Sequence, residues 1–150
     1  PFGPERARLV RGEAVALADG RVVQPDDVLG ETLHGTKYVH IGDVGRTDNL
    51  INIVRGADAL VMESTYLEEE AEMAADFGHM TATRAAQLAR DAGVKHLILT
   101  HLSRRYSERE VRQEARAVFA NTHVARDLDN YQITREGVVR VKKEEGIVRG

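Results

Sequence analysis

Three short apolar runs, each ending on a polar side chain, constrain the fold of this chain more than any other feature. They occupy residues 38–43, 59–63 and 96–101. Segments with helical spacing of apolar residues separate the runs, and this alternation predicts parallel strands joined by crossover helices. Because the carboxyl ends of parallel strands share one edge of a sheet, we expect Asp43, Glu63 and His101 to converge there.

The composition excludes several classes of protein. The 150 residues include 42% hydrophobic and 30% charged residues, with a net charge of −3, as is typical of one globular domain. The lack of cysteine excludes disulfides and thiolate ligands, so a metal would be held by His, Asp and Glu. No apolar run approaches the ~20 residues of a membrane span, and no signal peptide is recognisable. We therefore expect a cytoplasmic protein without membrane contact.

Helix signals follow the second and third runs. Residues 81–92 carry alanines and a leucine at helical spacing, which predicts a helix with a narrow apolar face. Ser107 and Glu110 form a capping-box pattern that opens a further helix, ending near Ala120. The acidic residues 67–76 are interpreted as a solvated surface.

The two ends of the chain have a different character. Near the N terminus, two short strands are predicted around an Asp19-Gly20 turn. At the other end, the charged residues 135–150 are interpreted as a loosely packed tail. We divide the chain into a domain of residues 1–134 and this tail.

Two carboxylates stand at predicted strand ends. Asp43 follows Gly42, which lets the backbone turn sharply, so that the carboxylate can face a metal. The alternative is an aspartate that caps the next helix. Glu63 ends a buried strand, where a desolvated carboxylate needs a partner. A salt bridge at the sheet edge is the alternative.

Two histidines are candidates for chemistry. His101 ends the third run, and a neutral imidazole there can bind zinc or transfer protons; a merely hydrogen-bonded ring is the alternative. His79 stands at a helix start, a position that attracts anions; an exposed residue near the cap is the alternative. Structural roles are expected for the other histidines, which are His34, His40, His96 and His123.

A basic loop follows His101 directly. Arg104 and Arg105 offer guanidinium groups that suit a phosphate, and Tyr106 can stack or donate a hydrogen bond. The loop predicts a phosphodiester next to the candidate ligand. A surface charge pair is the alternative.

Four segments together resemble one enzyme family. They are Gly42-Asp43-Val44, Glu63-Ser64-Thr65-Tyr66, Gly78-His79-Met80-Thr81 and residues 100–106. In this order and spacing, the chain resembles the C-terminal half of ribonuclease Z, a tRNA 3′ endonuclease of the metallo-β-lactamase superfamily, from residue 1 to about residue 131. The resemblance implies an α/β fold, namely half of an αββα sandwich in which a mixed sheet contains strand-helix-strand units.

The resemblance also implies roles for single residues. Asp43 would bridge two Zn²⁺ ions, His101 would bind one of them, and such a pair activates water and clamps phosphoryl oxygens. Glu63 and His79 would relay a proton towards the leaving 3′ oxygen. The implied substrate is precursor tRNA, whose phosphate would be bound by Ser103, Arg104, Arg105 and Tyr106.

The chain also departs from the family pattern. The motif His-x-His-x-Asp-His, which supplies most of the family's metal ligands, is absent, as is a further His ligand. Only Asp43 and His101 remain as ligands, whereas a catalytic zinc normally needs about three. We therefore expect an incomplete site that is inactive alone, in a chain that forms a homodimer or associates with a missing N-terminal half. The first residue, Pro1, fits a trimmed initiator or a piece of a longer protein.

Three other functions are compatible with parts of the pattern. One is a different metallo-β-lactamase-fold hydrolase that acts on a small ester or lactone. Another is a non-catalytic piece that works in assembly or binding. The weakest is a phosphatase of the haloacid dehalogenase type, because Gly42-Asp43 followed by Asn49 is similar to its last motif; its early Asp-x-Asp is missing, and that pattern occurs only at residues 127–129.

Overall fold

The computed structural model describes residues 3–31 and 34–141, and the chain divides into two compact units at His34. The first unit contains α1 (Pro4–Val10), β1 (Val15–Ala16), β2 (Val22–Val23) and a 3-10 helix (Pro25–Asp27). The two strands pair antiparallel, as predicted, and Gly20 takes a positive φ of 84° in the turn between them. The helix α1 begins on Pro4, whose fixed φ suits a first helical position.

A four-stranded sheet forms the centre of the second unit. Its strands are β3 (Tyr38–Ile41), β4 (Ala59–Glu63), β5 (Leu97–Thr100) and β6 (Thr122–Val124). They lie side by side in chain order, and every pair is parallel. The three apolar runs are therefore parallel strands, and the predicted α/β class is confirmed.

Among residues 3–31 and 34–141, antiparallel pairing occurs in separate hairpins and not within one mixed sheet. Helix-containing crossovers connect the strands of the central sheet, whereas a short turn joins β7 (Asn130–Ile133) to β8 (Val138–Val141), and a short turn favours an antiparallel pair. Within the predicted tail, residues 138–141 thus form a strand, in which Val138 is buried against the central sheet. Residues 142–150 of that tail lie outside the described residues.

Helices cover one face of the central sheet. They are α2 (Ile51–Val54), α4 (Ala82–Asp91) and α5 (Glu108–Val118), which share one core with the strands. A 3-10 helix (Glu68–Glu70) and α3 (Ala71–Asp76) precede α4 in the chain. The alanines of α4 are buried, so this helix packs closely on the strands. The opposite face has a smaller core, in which Ala59 and Ile98 contact the β7–β8 hairpin. No helix in the described ranges combines the length and apolarity that crossing a membrane requires.

The predicted capping box starts α5. The Ser107 hydroxyl accepts the Glu110 N–H at 3.3 Å, and the Glu110 carboxylate accepts the Ser107 N–H at 2.7 Å. We expect Ser107→Ala to lower the free energy of unfolding by about 1 kcal/mol, because one N-terminal N–H group loses its acceptor. Urea unfolding checks this value. Ser107→Thr, which keeps a hydroxyl at the N-cap, is the control, and an alanine variant as stable as wild type would contradict the prediction.

The acidic segment is more than a solvated surface. The Glu68 carboxylate accepts the Thr81 hydroxyl, and Glu70 pairs with Arg105 at 2.9 Å. Glu114 on α5 accepts the backbone N–H of Glu68 at 3.1 Å. These contacts fasten the segment to α4 and α5, since helix starts offer unsatisfied N–H groups that a carboxylate can accept.

Candidate active site

Side chains from four segments meet at the carboxyl edge of the sheet. Asp43 follows β3, Glu63 ends β4, His101 follows β5, and His79 precedes α4. One potential ligand atom each from Asp43, His79 and His101 lies within 4.8 Å of the others. The parallel topology explains the convergence, because it brings the ends of all strands to one side.

Glu63 is the buried centre of this arrangement. Its side chain is 1% exposed, yet its carboxylate accepts five hydrogen bonds. One oxygen accepts the N–H groups of Val44 (3.2 Å) and Met80 (2.9 Å) and lies 3.1 Å from His79 Nδ1. The other accepts the Thr65 N–H at 3.1 Å and the Thr65 hydroxyl at 2.6 Å. These donors offset the cost of burying the carboxylate and tie three loops together.

Thr65 is a site residue that no sequence pattern singles out. Its hydroxyl oxygen lies 3.3 Å from His79 Nδ1 and 3.1 Å from His101 Nδ1. The same hydroxyl is 2.6 Å from the Glu63 carboxylate, so it connects both rings to the buried acid. The signal that could have found it is its place two residues after Glu63 in a strand-end motif.

Asp43 and His101 form the open side of the site. His101 Nδ1 lies 3.1 Å from the Asp43 carboxylate, and the side chains are 55% and 61% exposed. His101 has a φ of 53°, a left-handed conformation that non-glycine residues adopt mainly where surrounding structure enforces it. This turn of the backbone presents the imidazole at the strand end, 5.4 Å from the ring of His79 between centroids.

Two glycines bring the Asp43 loop against the His79 loop. A Cβ atom built on Gly45 would lie 3.0 Å from the Cα atom of Gly78, so a side chain at Gly45 would push the loops apart. Gly78 itself has a φ of 71°, which glycine adopts without strain. The close approach holds His79 within reach of the other site residues.

The donor set fits a metal ion of the zinc type. Asp43 provides a carboxylate, and His79 and His101 provide imidazoles, which are the nitrogen and oxygen donors that zinc takes. His79 is thus a third possible donor beside the two predicted ones. In the described part of the chain, no other group of three His, Asp or Glu side chains comes this close together. The remaining four histidines lie outside the cluster.

The predicted substrate-binding loop, residues 103–106, is partly occupied by contacts with other residues of this chain. Arg105 donates to Glu70 at 2.9 Å, and its backbone N–H donates to the Ser103 hydroxyl at 3.3 Å. The Tyr106 hydroxyl is buried without a hydrogen-bond partner among the described residues, and its ring packs on the core. Arg104 is exposed and has no ion pair within ranges 3–31 and 34–141. Arg104 is therefore the guanidinium of this loop that is most available to a ligand.

Comparison with known proteins adds a family context. The model of the Beta-lactamase superfamily domain matches residues 6–102. The chain is 46% identical over 133 residues to Ribonuclease Z of Bradyrhizobium sp. (strain ORS 278), which covers 89% of this chain and 44% of the relative. It is 43% identical over 136 residues to Ribonuclease Z of Archaeoglobus fulgidus, again covering 89% of this chain and 44% of the relative.

A solved structure also supports membership of the beta-lactamase superfamily. The metallo-beta-lactamase fold protein YhfI from Bacillus subtilis superposes with a TM-score of 0.54 at 28% identity, covering 58% of this chain and 37% of that chain. These matches agree with the resemblance that the four sequence segments indicate. The chain spans less than half the length of the curated relatives it matches.

Proposed function

Since this chain belongs to the beta-lactamase superfamily, we propose that it carries part of the active site of a zinc-dependent endoribonuclease that removes the 3′ trailer from precursor tRNA. The observation that carries the proposal is the convergence of Asp43, His79 and His101 beside the buried Glu63. The likeness to ribonuclease Z relatives directs the proposal towards tRNA.

The metal ligands proposed on this chain are Asp43 and His101. Their exposed side chains lie together at the carboxyl edge, with His101 Nδ1 3.1 Å from the Asp43 carboxylate, so both would hold metal there. Bound zinc supplies a hydroxide at neutral pH and positive charge that stabilises phosphoryl oxygens. Two ions need more donors than this cluster offers, so we propose that the chain is inactive alone.

We propose that Glu63 and His79 form the proton relay. The Glu63 carboxylate accepts a hydrogen bond from His79 Nδ1. This bond fixes the ring, and Nε2 is left as the nitrogen that can exchange a proton. Because Glu63 is held by five donors, it cannot swing away from the ring without losing them. The relay would deliver a proton to the leaving 3′ oxygen.

Substrate binding is proposed for the loop of residues 103–106. Arg104 is free to contact a phosphate. Arg105 donates to Glu70 through one terminal guanidinium nitrogen, and its other terminal nitrogen is available to a phosphate. Ser103 accepts the Arg105 N–H and so shapes the loop. Tyr106 supports the loop from beneath, because its hydroxyl is buried.

The proposed partner is the rest of the sandwich, and the complete protein is proposed to be a cytoplasmic homodimer. On β3, an edge strand, the Tyr38 side chain is 52% exposed and His40 is exposed on the same face. An uncovered sheet face and edge favour association with another chain segment or a second copy.

A chimera tests the proposed function. In it, this chain replaces the matched segment of the Bradyrhizobium relative, and the product is offered a 3′-extended tRNA and a chromogenic ester. We expect release of the trailer without ester hydrolysis. The superfamily match is broader than ribonuclease Z and leaves a small-ester hydrolase as the second candidate, so ester hydrolysis without tRNA cleavage would favour that function.

His79→Ala tests the relay in the same chimera. We expect cleavage to slow by about 10²-fold or more, the usual weight of a general acid-base group, with zinc content unchanged. His34→Ala is the control, since this exposed histidine lies outside the cluster. Unchanged cleavage would refute the relay, and loss of zinc would instead make His79 a ligand.

A further inference from the structure

We propose that this chain has a second binding site, a basic pocket at the outer edge of the sheet that takes a phosphate group. The pocket is a cavity of about 200 Å³ beside β6, the last strand of the central sheet. Its lining residues are Arg112, Arg116, His123, Val124, Tyr131 and Arg140. None of them belongs to the cluster at the carboxyl edge.

The guanidinium groups reach the pocket from two sides. Arg112 and Arg116 lie one turn apart on the same face of α5, and Arg140 comes from β8 of the hairpin. His123 on β6 and Tyr131 on β7 stand between them, with ring centroids 6.0 Å apart. Secondary structure therefore supplies every basic group, so the pocket is formed before any ligand arrives.

Arg116 is the pocket arginine whose positive charge is least balanced by carboxylates. Its Nε donates to the carbonyl oxygen of Thr122 at 2.9 Å, which positions the side chain. Among the described residues, no carboxylate lies within ion-pair distance of its guanidinium. Two terminal nitrogens thus remain for an anion.

The carboxylates near the pocket do not balance its charge. Glu108 lies 3.5 Å from Arg112 but also pairs with Arg126 at 2.5 Å, so one carboxylate is shared by two cations. Asp129 pairs with Arg140. The three guanidinium groups of the pocket thus have two carboxylates near them, one of which is shared with Arg126 outside the pocket, and a bound anion would reduce the excess positive charge.

Burial and this positive charge both lower the pKa of His123. Burial of its ring lowers its pKa from the usual range. The neighbouring His96, Arg116 and Arg112 lower the same pKa further, because each repels a second positive charge. The charged and titratable groups around the ring are His96 before β5, Arg112 and Arg116 on α5, Tyr131 on β7 and Arg140 on β8. An anion in the pocket would offset the repulsion and raise the pKa of His123.

Phosphate is the anion that matches these donors. Guanidinium forks bind phosphate oxygens in pairs, and three forks around one cavity offer more donors than a carboxylate ligand can use. The phosphate can belong to an RNA backbone or to a small molecule. The RNA source rests on the proposed function, whereas the pocket itself does not.

The test is an NMR titration of the His123 ring in the full 150-residue chain with inorganic phosphate. We expect a saturable shift and a higher pKa of His123 at saturation. Arg116→Gln should weaken phosphate binding about tenfold or more, as loss of a charged hydrogen bond does. Arg109→Gln is the matched control, because this exposed arginine lies on α5 outside the pocket.

Arg112→Gln provides a second variant, since Arg116 also holds Thr122 and its loss could disturb the fold. Amide spectra report folding of each variant. A shift that fails to saturate, or equal weakening in Arg109→Gln, would overturn the pocket. A short RNA that displaces phosphate supports the backbone source; phosphate binding without displacement by RNA supports a small molecule. The phosphate titration and the RNA displacement are both measured without tRNA cleavage, so their outcome does not depend on the proposed endoribonuclease activity.

Discussion

Replacing Glu63 with alanine is expected to lower the free energy of unfolding by about 3 kcal/mol. The carboxylate is 1% exposed and accepts five hydrogen bonds, so its removal leaves backbone N–H groups of Val44, Thr65 and Met80 without an acceptor. Each unsatisfied buried donor costs about 1–3 kcal/mol, and water that enters the space left by the side chain satisfies some of them. Urea unfolding followed by circular dichroism measures the change.

Two further variants make this result specific. Glu63→Gln keeps a carbonyl acceptor of similar size and should lose less stability than the alanine variant. Glu69→Ala removes an exposed carboxylate nearby and should change the free energy of unfolding by less than about 0.5 kcal/mol. If Glu63→Ala behaves like Glu69→Ala, the buried acid does not organise the loops around it.

Asp43→Ala and His101→Ala are each expected to abolish zinc binding and tRNA cleavage in the chimera with the Bradyrhizobium relative. The two side chains lie 3.1 Å apart and are the two metal ligands proposed on this chain, so each variant removes one of them. Zinc content after dialysis and trailer release from a 3′-extended tRNA are the two measurements.

Asp48→Ala is the matched control for Asp43→Ala. It makes the same change of charge in the same loop, but Asp48 is 63% exposed and pairs with Arg46 at 2.8 Å, outside the cluster. Zinc content and cleavage should stay at the wild-type level. Full zinc content in Asp43→Ala would contradict the assignment of Asp43 as a ligand.

Much of the central sheet could be predicted because burial leaves a local signature. Parallel strands covered by helices read as continuous apolar runs, and those of β3, β4 and β5 stand out in the sequence. Capping is equally local, so the start of α5 at Ser107 follows from a four-residue pattern. The superfamily resemblance, carried by four segments, is confirmed by the match to residues 6–102.

The hydrogen-bond network of the site could not be predicted from the sequence. Strand ends indicate which residues meet, but they do not show that one hydroxyl of Thr65 reaches Glu63, His79 and His101. Such contacts depend on loop paths that no periodic pattern encodes. For the same reason, the ion pair that engages Arg105 with Glu70 was not apparent from a basic loop and an acidic segment 35 residues apart.

The basic pocket also could not be predicted from the sequence. In the sequence, Arg112 and Arg116 read as an ordinary pair one turn apart on a helix, and only the β7–β8 hairpin brings Arg140 to the same pocket. The position of that hairpin is set by packing of Val138 against the sheet. Charge clusters of this kind arise only from tertiary structure, so a sequence pattern cannot separate them from a solvated surface.

The zinc content of the isolated 150-residue chain tests most directly whether this chain holds part of a two-metal site and not all of it. Elemental analysis after equilibration with zinc and removal of unbound metal gives the number of ions per chain. We predict little zinc, well under two ions per chain. Asp43 and His101 are two ligands where a catalytic zinc normally takes about three, and His79, the third possible donor, is proposed as the proton relay held by Glu63. Close to two tightly held ions per chain would contradict this, and would mean that other side chains of this chain complete the site.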